Sequence, residues 1–400
     1  MTLEAANPMP LLGSQSKSRS APFKLAIIPN SSPRTTHSWS GIPYFAVRAL
    51  AQRLPDIEVI DTPFSDKLLG MLRGASINIS VDVGREQAVS RLYAALLKRQ
   101  LRKIDADILL SIGATPKIAH LGRHWPIVHF ADATFASMVD YYPRNYSNLR
   151  VRTLRAGIAM DQRAFDNCRY VLMSSDWAAS SVVRDFGIAA DRVRVVPMGA
   201  CLDTTPILQP ALTYPSALRL LFVGVDWIRK GGPATLEIWR GLRQSFPEAE
   251  LHIVGCTAEG IQGQDGIVHH GFLSKDDPTQ RARLESLYRQ ASFLVVPSRQ
   301  EAFGLVYCEA CAFGVPVVAT DTGGVSTIVK DGVNGFLLDH SHPDIPHLVE
   351  RLRQTWTDAP RYARMRDAAR ARYETDLNWQ AWAEGVERAL RDALSQPSPG

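Results

Sequence analysis

Residues 293–310 read Phe293-Leu294-Val295-Val296-Pro297-Ser298-Arg299-Gln300-Glu301-Ala302-Phe303-Gly304-Leu305-Val306-Tyr307-Cys308-Glu309-Ala310. Four apolar residues stop at Pro297, a polar loop follows, and a helix is expected to start near Phe303–Gly304. A buried strand feeding a helix through a short loop is the repeating unit of a parallel sheet wrapped by helices. The first amides of such a helix have no internal partner, and the helix dipole places partial positive charge there. Gly304 carries no side chain, so an anion such as a phosphate approaches the backbone closely. Glu301 lies in the loop, and Glu309 lies about one and a half turns into the helix, where a carboxylate reaches a diol such as that of a ribose. Two glutamates eight apart are common as solvated charges. Their place after a buried strand and around a glycine is what gives this pair weight.

The same unit recurs outward in both directions. Apolar runs at Phe23–Pro29, Glu58–Ile60, Asp107–Ile112, Pro126–Phe130 and Tyr170–Met173 read as strands, with helical stretches between them. Asp203–Ser216 carries three prolines and little periodicity, so it reads as a linker. The pattern restarts with strands at Leu218–Val223, Glu250–Val254, Ile267–His269, Phe293–Val296 and Val315–Ala319. A single core rarely grows past about 250–300 residues, so 400 residues also call for two domains. In open parallel sheets a ligand sits beyond the carboxyl ends of the strands, which places the expected site in the cleft between the two sheets. Near the end, Trp379, Trp382, Val386, Leu390 and Leu394 fall on one helical face, and Pro397 and Pro399 follow in a loose tail.

Composition bounds the partners. Apolar residues make up 46% and charged residues 21%, as in soluble globular chains. The net charge of +5 suits an anionic small ligand or a weak contact with a membrane surface. No long basic run or aromatic-interleaved stripe points to nucleic acid. Cys168, Cys201, Cys256, Cys308 and Cys311 are scattered and odd in number, which argues against a disulfide framework and for a reducing, cytoplasmic compartment. Residues 1–22 read as a disordered tail rather than a signal peptide, and no run of about 18 apolar residues appears.

The segment at 297–310 resembles the E-x7-E motif of the retaining glycosyltransferases of family four, which have the GT-B fold. The likeness extends through Gly314-Val315-Pro316-Val317-Val318-Ala319-Thr320-Asp321-Thr322-Gly323-Gly324 and through Asp331-Gly332-Val333-Asn334-Gly335-Phe336-Leu337. Upstream, Phe222-Val223-Gly224 followed by Arg229-Lys230-Gly231-Gly232 resembles the family's strand–loop–lysine element. The first half is similar more loosely, at Ser38-Trp39-Ser40-Gly41 and Ser174-Ser175-Asp176-Trp177.

The resemblance implies two Rossmann-like domains facing across a cleft. An acceptor domain would span 23–203 and a donor-binding domain 217–374, with a last helix (375–396) crossing back to the first. It implies a hexose-type sugar moved from a nucleotide-diphosphate sugar to an acceptor hydroxyl, with no cofactor and no metal. By the same resemblance Lys230 meets the leaving phosphate and Glu301 stands near the transferred sugar. Phe303, Gly304 and Leu305 turn their backbone to sugar and phosphate, and Glu309 binds the ribose. Phe272 and Leu273 lie where the base is held, Gly255 lines the cleft, Thr322 adds a phosphate contact and Gly41 belongs to the glycine-containing first loop. The family often carries an arginine where this chain has Gly224 and Val225, and Arg229 is the substitute at hand. The acceptor-side histidine position holds Ala136, which leaves Asp132 or His129 for that role; Asp132 equally suits a helix cap.

Other signals weigh less. Asp105-Ala106-Asp107 has D-x-D form but precedes its strand, at the wrong end for a ligand. Cys308 and Cys311 lie inside the expected helix and read as small core side chains, and His120 with His124 lacks a third metal ligand. In the segment 85–104, Val89, Leu92, Tyr93, Leu96, Gln100 and Leu101 share a face, with Arg91, Lys98, Arg99, Arg102 and Lys103 largely elsewhere. This reads as a domain helix with a solvated basic face ahead of a membrane-binding helix at the inner membrane face. Tyr141, Tyr142 and Tyr146 suit either a stack on an acceptor, such as a sugar, glycan or glycolipid, or a packed loop. Competing functions are a sugar phosphorylase, a nucleotide-sugar hydrolase or epimerase, and a non-catalytic nucleotide-sugar-binding scaffold.

Overall fold

Alternate residues of the buried strands face two different cores. Leu25 and Ile27 enter one apolar cluster and Ala26 and Ile28 the other; Ile108 and Leu110 are divided from Leu109 in the same way. Strands covered on both faces have no polar side to show, so they read as continuous apolar runs. The computed structural model describes residues 23–36, 38–77, 80–142, 146–203, 205–206, 217–257 and 263–396. The expected tail 1–22, most of the expected linker and the prolines at 397 and 399 lie outside these residues.

The strands β1 (Leu25–Pro29), β2 (Ile57–Val59), β3 (Ile108–Ile112), β4 (Ile127–Ala131), β5 (Tyr170–Met173) and β6 (Val193–Val195) form one sheet, in the order β2-β1-β3-β4-β5-β6. A second sheet holds β7 (Arg219–Val223), β8 (Glu250–Val254), β9 (Ile267–Gly271), β10 (Phe293–Val296), β11 (Val317–Thr320) and β12 (Gly335–Leu338), in the order β12-β11-β10-β7-β8-β9. Every pairing is parallel. This is the expected α/β architecture of two Rossmann-like sheets. Each sheet has one switch point, where the chain leaves a strand to build first on one side and then on the other. These fall between β1 and β3 and between β7 and β10.

Strand ends shift by a residue or two, as at β2 and β9, and three further details differ from the sequence reading. β6 was not anticipated: it is three half-buried residues with Arg194 in the middle, too short and too polar to stand out. β11 starts at Val317 rather than Val315, since Pro316 has no N–H for the ladder and offers only its carbonyl, to Leu294. In the helix Gln87–Ile104 the packed face is Ser90, Tyr93, Ala94, Leu97 and Leu101. Leu92 and Leu96, read as part of the packed face, are instead 62% and 39% exposed.

The last helix, Trp379–Ser395, starts at Asn378, whose side chain accepts the Ala381 amide at 2.9 Å. It packs on the first sheet, not the second. Trp382 meets Phe130 of β4 edge-on at 5.2 Å, and Trp379 lies 6.1 Å from Phe45. Gly199 lets the chain pass, because a Cβ there would stand 2.3 Å from the Trp379 amide nitrogen. The loops beyond the carboxyl ends of the two sheets meet across the cleft. Asp176 and Thr327 exchange two hydrogen bonds of 3.0 and 3.1 Å, and Thr36 bonds Asp276. Trp382 is fully buried. Trp382→Ala is expected to cost about 3–5 kcal/mol, read as a lower urea midpoint for loss of near-ultraviolet circular dichroism.

Candidate active site

The donor-side loop is held from below before it offers anything to a ligand. Tyr307 donates from its hydroxyl to the Val296 carbonyl at 2.8 Å and lies 3.3 Å from Ser298 Oγ, and Ser298 donates to Glu301 Oε2 at 3.2 Å. The helix begins at Leu305, after Gly304. Gly304 sits at φ +105°, and a Cβ there would lie 2.3 Å from the Tyr307 ring, so the turn needs glycine. The amides of Phe303, Gly304 and Leu305 have no hydrogen-bond partner among the described residues. The Phe303 side chain is buried in the core beneath them.

Lys230 reaches this loop from the neighbouring strand. β7 and β10 are hydrogen-bonded neighbours at the switch point, so the segments that follow them emerge side by side. The Lys230 ammonium pairs with the Glu301 carboxylate, and both side chains are nearly buried. Gly224 makes room for it: a Cβ there would stand 2.8 Å from Lys230 Cγ. Arg229 donates to the Gln300 carbonyl at 3.2 Å and lies 5.6 Å from the Tyr142 ring centroid, so it faces the donor loop rather than solvent. Val225, where the family often has arginine, is exposed.

Glu309 is buried and already engaged. Its Oε1 pairs with Lys275, and its Oε2 accepts from the Tyr288 hydroxyl at 3.0 Å. A ribose diol therefore reaches it only by sharing or displacing Lys275. Gly255 donates to the Gly271 carbonyl at 2.8 Å and sits at φ +99°, against the Gly224 carbonyl, which closes the ends of β7, β8 and β9 tightly. Phe272 is 67% exposed, while Leu273 packs partly on the core. Thr322 is buried, with its Oγ1 2.8 Å from the Tyr141 hydroxyl.

Across the cleft, Asp132 is the first residue beyond β4. Burial pushes its carboxyl up to about 6; the Trp39 indole N–H, 3.3 Å away, and backbone amides oppose the rise, and the charge of Glu301 adds to it. Asp132 thus stands within electrostatic reach of Glu301. His129 does not compete for the role. It lies inside β4, fully buried, 3.0 Å from Ser111 Oγ, and burial pushes its pKa down to about 3, so it stays neutral in the core. Gly41, at φ +82°, ends a turn in which Trp39 and Ser40 are also left-handed, at +47° and +55°. That conformation is strained for residues with a Cβ. The Trp39 ring lies so close over Gly113 that a Cβ there would be 2.6 Å from it.

Sequence reasoning did not reach Lys275 or Tyr288, it named Trp39 only as part of the first loop, and it left Tyr141 and Tyr142 undecided. Both tyrosines bond across the cleft to the donor loop. The discounted pairs have structural places: Asp107 accepts the Lys24 amide at 2.6 Å, and Cys308 and Cys311 are buried in the helix Leu305–Ala312.

Two six-stranded parallel sheets that face one cleft, with these loops at their carboxyl ends, define the GT-B class. Residues 208–372 match the model of the glycosyl transferases group 1 and residues 42–204 that of glycosyltransferase family 4, and the chain belongs to this family. It is 30% identical over 266 residues to the D-inositol 3-phosphate glycosyltransferase of Thermobifida fusca, a match spanning 62% of this chain and 59% of that relative. The enzyme of the same name from Xylanimonas cellulosilytica is 35% identical over 186 residues, 41% of this chain and 43% of the relative. Among solved structures, WaaG, a glycosyltransferase involved in lipopolysaccharide biosynthesis, superposes with a TM-score of 0.61 at 18% identity, over 92% of this chain and 99% of that one. Anabaena HepE in complex with UDP and glucose gives 0.59 at 16% identity, over 92% and 99%. At such identities the likeness is one of fold.

The raised pKa of Asp132 has a sign that can be checked. The folded state holds this proton more tightly than the unfolded chain, so the contribution is full below about pH 4 and is lost as pH rises through about 6. Asp132→Asn is therefore expected to be more stable than the parent above pH 6, by up to ~3 kcal/mol, with the gain vanishing toward pH 4. Melting curves of both proteins across pH 4–8 measure it.

Proposed function

We propose that this chain is a retaining glycosyltransferase that moves a hexose-type sugar from a nucleotide-diphosphate sugar to an acceptor hydroxyl. The observation that carries the reading is the buried Lys230–Glu301 pair beside the unpartnered amides of residues 303–305, with Asp132 opposite. In this reaction the bond from the sugar's anomeric carbon to the phosphate oxygen breaks, and a bond to the acceptor oxygen forms on the same face. The leaving phosphate takes the acceptor's proton. Negative charge grows on the phosphate, and Lys230, Arg229 and the helix-start amides are the groups placed to meet it. No bound metal or cofactor is assigned a part in this reading. Asp132 orients the acceptor hydroxyl. The names of the curated relatives make inositol phosphates the first acceptors to try, and HepE makes UDP the first nucleotide.

Titration calorimetry with UDP and GDP tests the donor site. One nucleotide is expected to bind, and Glu309→Ala is expected to weaken it about tenfold or more through loss of a charge-assisted bond. Lys230→Ala is expected to lower kcat by roughly 10²–10³. Binding with release of free sugar would move the assignment to a hydrolase, and binding without turnover on any acceptor to a scaffold.

A second surface favours contact with an anionic membrane. The helix Gln87–Ile104 presents exposed Leu92 and Leu96 beside exposed Arg91, Arg99, Arg102 and Lys103, and the helix Pro63–Ile77 adds exposed Leu68, Met71 and Leu72. Apolar side chains among cations match the headgroup boundary of an acidic bilayer. No described helix is long and apolar enough to cross a membrane. We propose that the protein works in the cytoplasm, touching the inner membrane face. Co-sedimentation with phosphatidylglycerol vesicles is expected, absent with phosphatidylcholine alone and abolished by Leu92→Asp with Leu96→Asp.

A further inference from the structure

Tyr141 and Tyr142 belong to the first half of the molecule but hydrogen-bond to the second. Both residues turn back on the short helix Phe135–Met138, their amides donating to the Met138 carbonyl at 3.2 and 3.1 Å. The Tyr141 ring rests against Trp177 at 5.1 Å and against Tyr142 at 5.3 Å. From this footing the two hydroxyls cross the cleft in parallel. The Glu301 amide donates to Tyr141 Oη at 2.9 Å, and the Ala302 amide donates to Tyr142 Oη, also at 2.9 Å. Tyr141 Oη further lies 2.8 Å from Thr322 Oγ1 and donates toward the Glu301 carbonyl at 3.4 Å.

The receiving side is shaped to fit. A Cβ on Gly323 would stand 2.5 Å from Tyr141 Oη and 2.1 Å from the Glu301 carbonyl oxygen. The Gly324 amide closes the ring by donating to that carbonyl at 3.2 Å, and the Arg229 guanidinium covers the Tyr142 ring at 5.6 Å. Burial holds both phenols above their ordinary pKa, so they remain hydroxyls that accept an amide proton. The two amides so engaged directly precede the three that have no partner. They also flank the carboxylate that pairs with Lys230.

We propose that Tyr141 and Tyr142 are positioning residues that make the working shape of the donor loop conditional on closure of the cleft. When the halves part, the amides of Glu301 and Ala302 lose their acceptors, and the carboxylate of Glu301 and the amides of 303–305 lose their fixed relation to Lys230. When the halves close, the acceptor side itself completes the donor site. Chemistry is then withheld until both halves are in place, which protects a reactive sugar from water.

Hydrogen exchange and kinetics test this on the full chain, with Tyr141→Phe, Tyr142→Phe and the double variant, which keep the aromatic packing. Exchange is read on peptides spanning 299–304 and, as a folding control, on β10. Tyr141→Phe is expected to speed exchange at Glu301 and Tyr142→Phe at Ala302, each at least tenfold, with β10 unchanged. Unaltered exchange at both amides in the double variant would overturn the proposal. The kinetic consequence rests on the glycosyl-transfer reading. There the double variant is expected to lower kcat tenfold or more, a larger change than in the nucleotide Kd, because Glu309 and its partners Lys275 and Tyr288 do not touch the two tyrosines. A kcat equal to the parent's would also overturn it. A parent protein that binds neither UDP nor GDP would sink the transfer reading instead, and the exchange result would still decide the latch.

Discussion

Lys230 and Glu301 meet because β7 and β10 are neighbours at the one place in the second sheet where the chain changes direction. A nearly dry ion pair is a poor stabiliser, since desolvating two charges offsets most of their attraction. What it supplies is position. The ammonium is held beside a helix start and is balanced by a carboxylate. Much nearby glycine serves this pair. Gly224 gives the lysine its path, Gly304 gives the loop its turn, and Gly255 lets β8 end against Gly224. The first sheet answers with the same device at its own switch point, where the loop after β1 ends at Gly41 and Trp39 lies over Gly113 beyond β3.

The architecture was legible because most of the buried parallel strands are largely apolar and several stop at Pro29, Gly113, Gly224, Gly255 or Pro297, a local signal. The donor loop was legible for the same reason, as strand, loop and helix lie within eighteen residues. Legibility failed where the deciding partner is distant in sequence. Glu309 looks free until Lys275 and Tyr288 fold onto it. Asp132 and His129 are three apart, and the sequence leaves either open for the same role. Only the end of β4, between Ala131 and Asp132, separates a core imidazole from a cleft carboxylate. In the helix Gln87–Ile104 two apolar rows run side by side, and the row bearing Ser90 and Ala94 packs closer than the row bearing Leu92 and Leu96. Periodicity alone does not choose between them.

Tyr141 and Tyr142 change how the cleft is to be understood. Donor and acceptor domains are often pictured as separate binding surfaces that approach each other. Here the first half lends two hydroxyls to the backbone of the loop after β10, so the hydrogen bonds of that loop are complete only where the two halves meet. The turn Thr322–Gly324, beyond β11, takes part in the same ring of bonds. A third strand end is thereby tied to closure.

The return of the last helix to the first sheet has a consequence for synthesis. Phe45 and Phe130 wait for Trp379 and Trp382, which are made only after the whole second sheet. About 200 residues separate Val195 from Ser395. At about 5–20 residues per second that gap is roughly 10–40 seconds. Through that interval the nascent first half shows an oily face to the cell, until the helix Trp379–Ser395 leaves the ribosome and covers it.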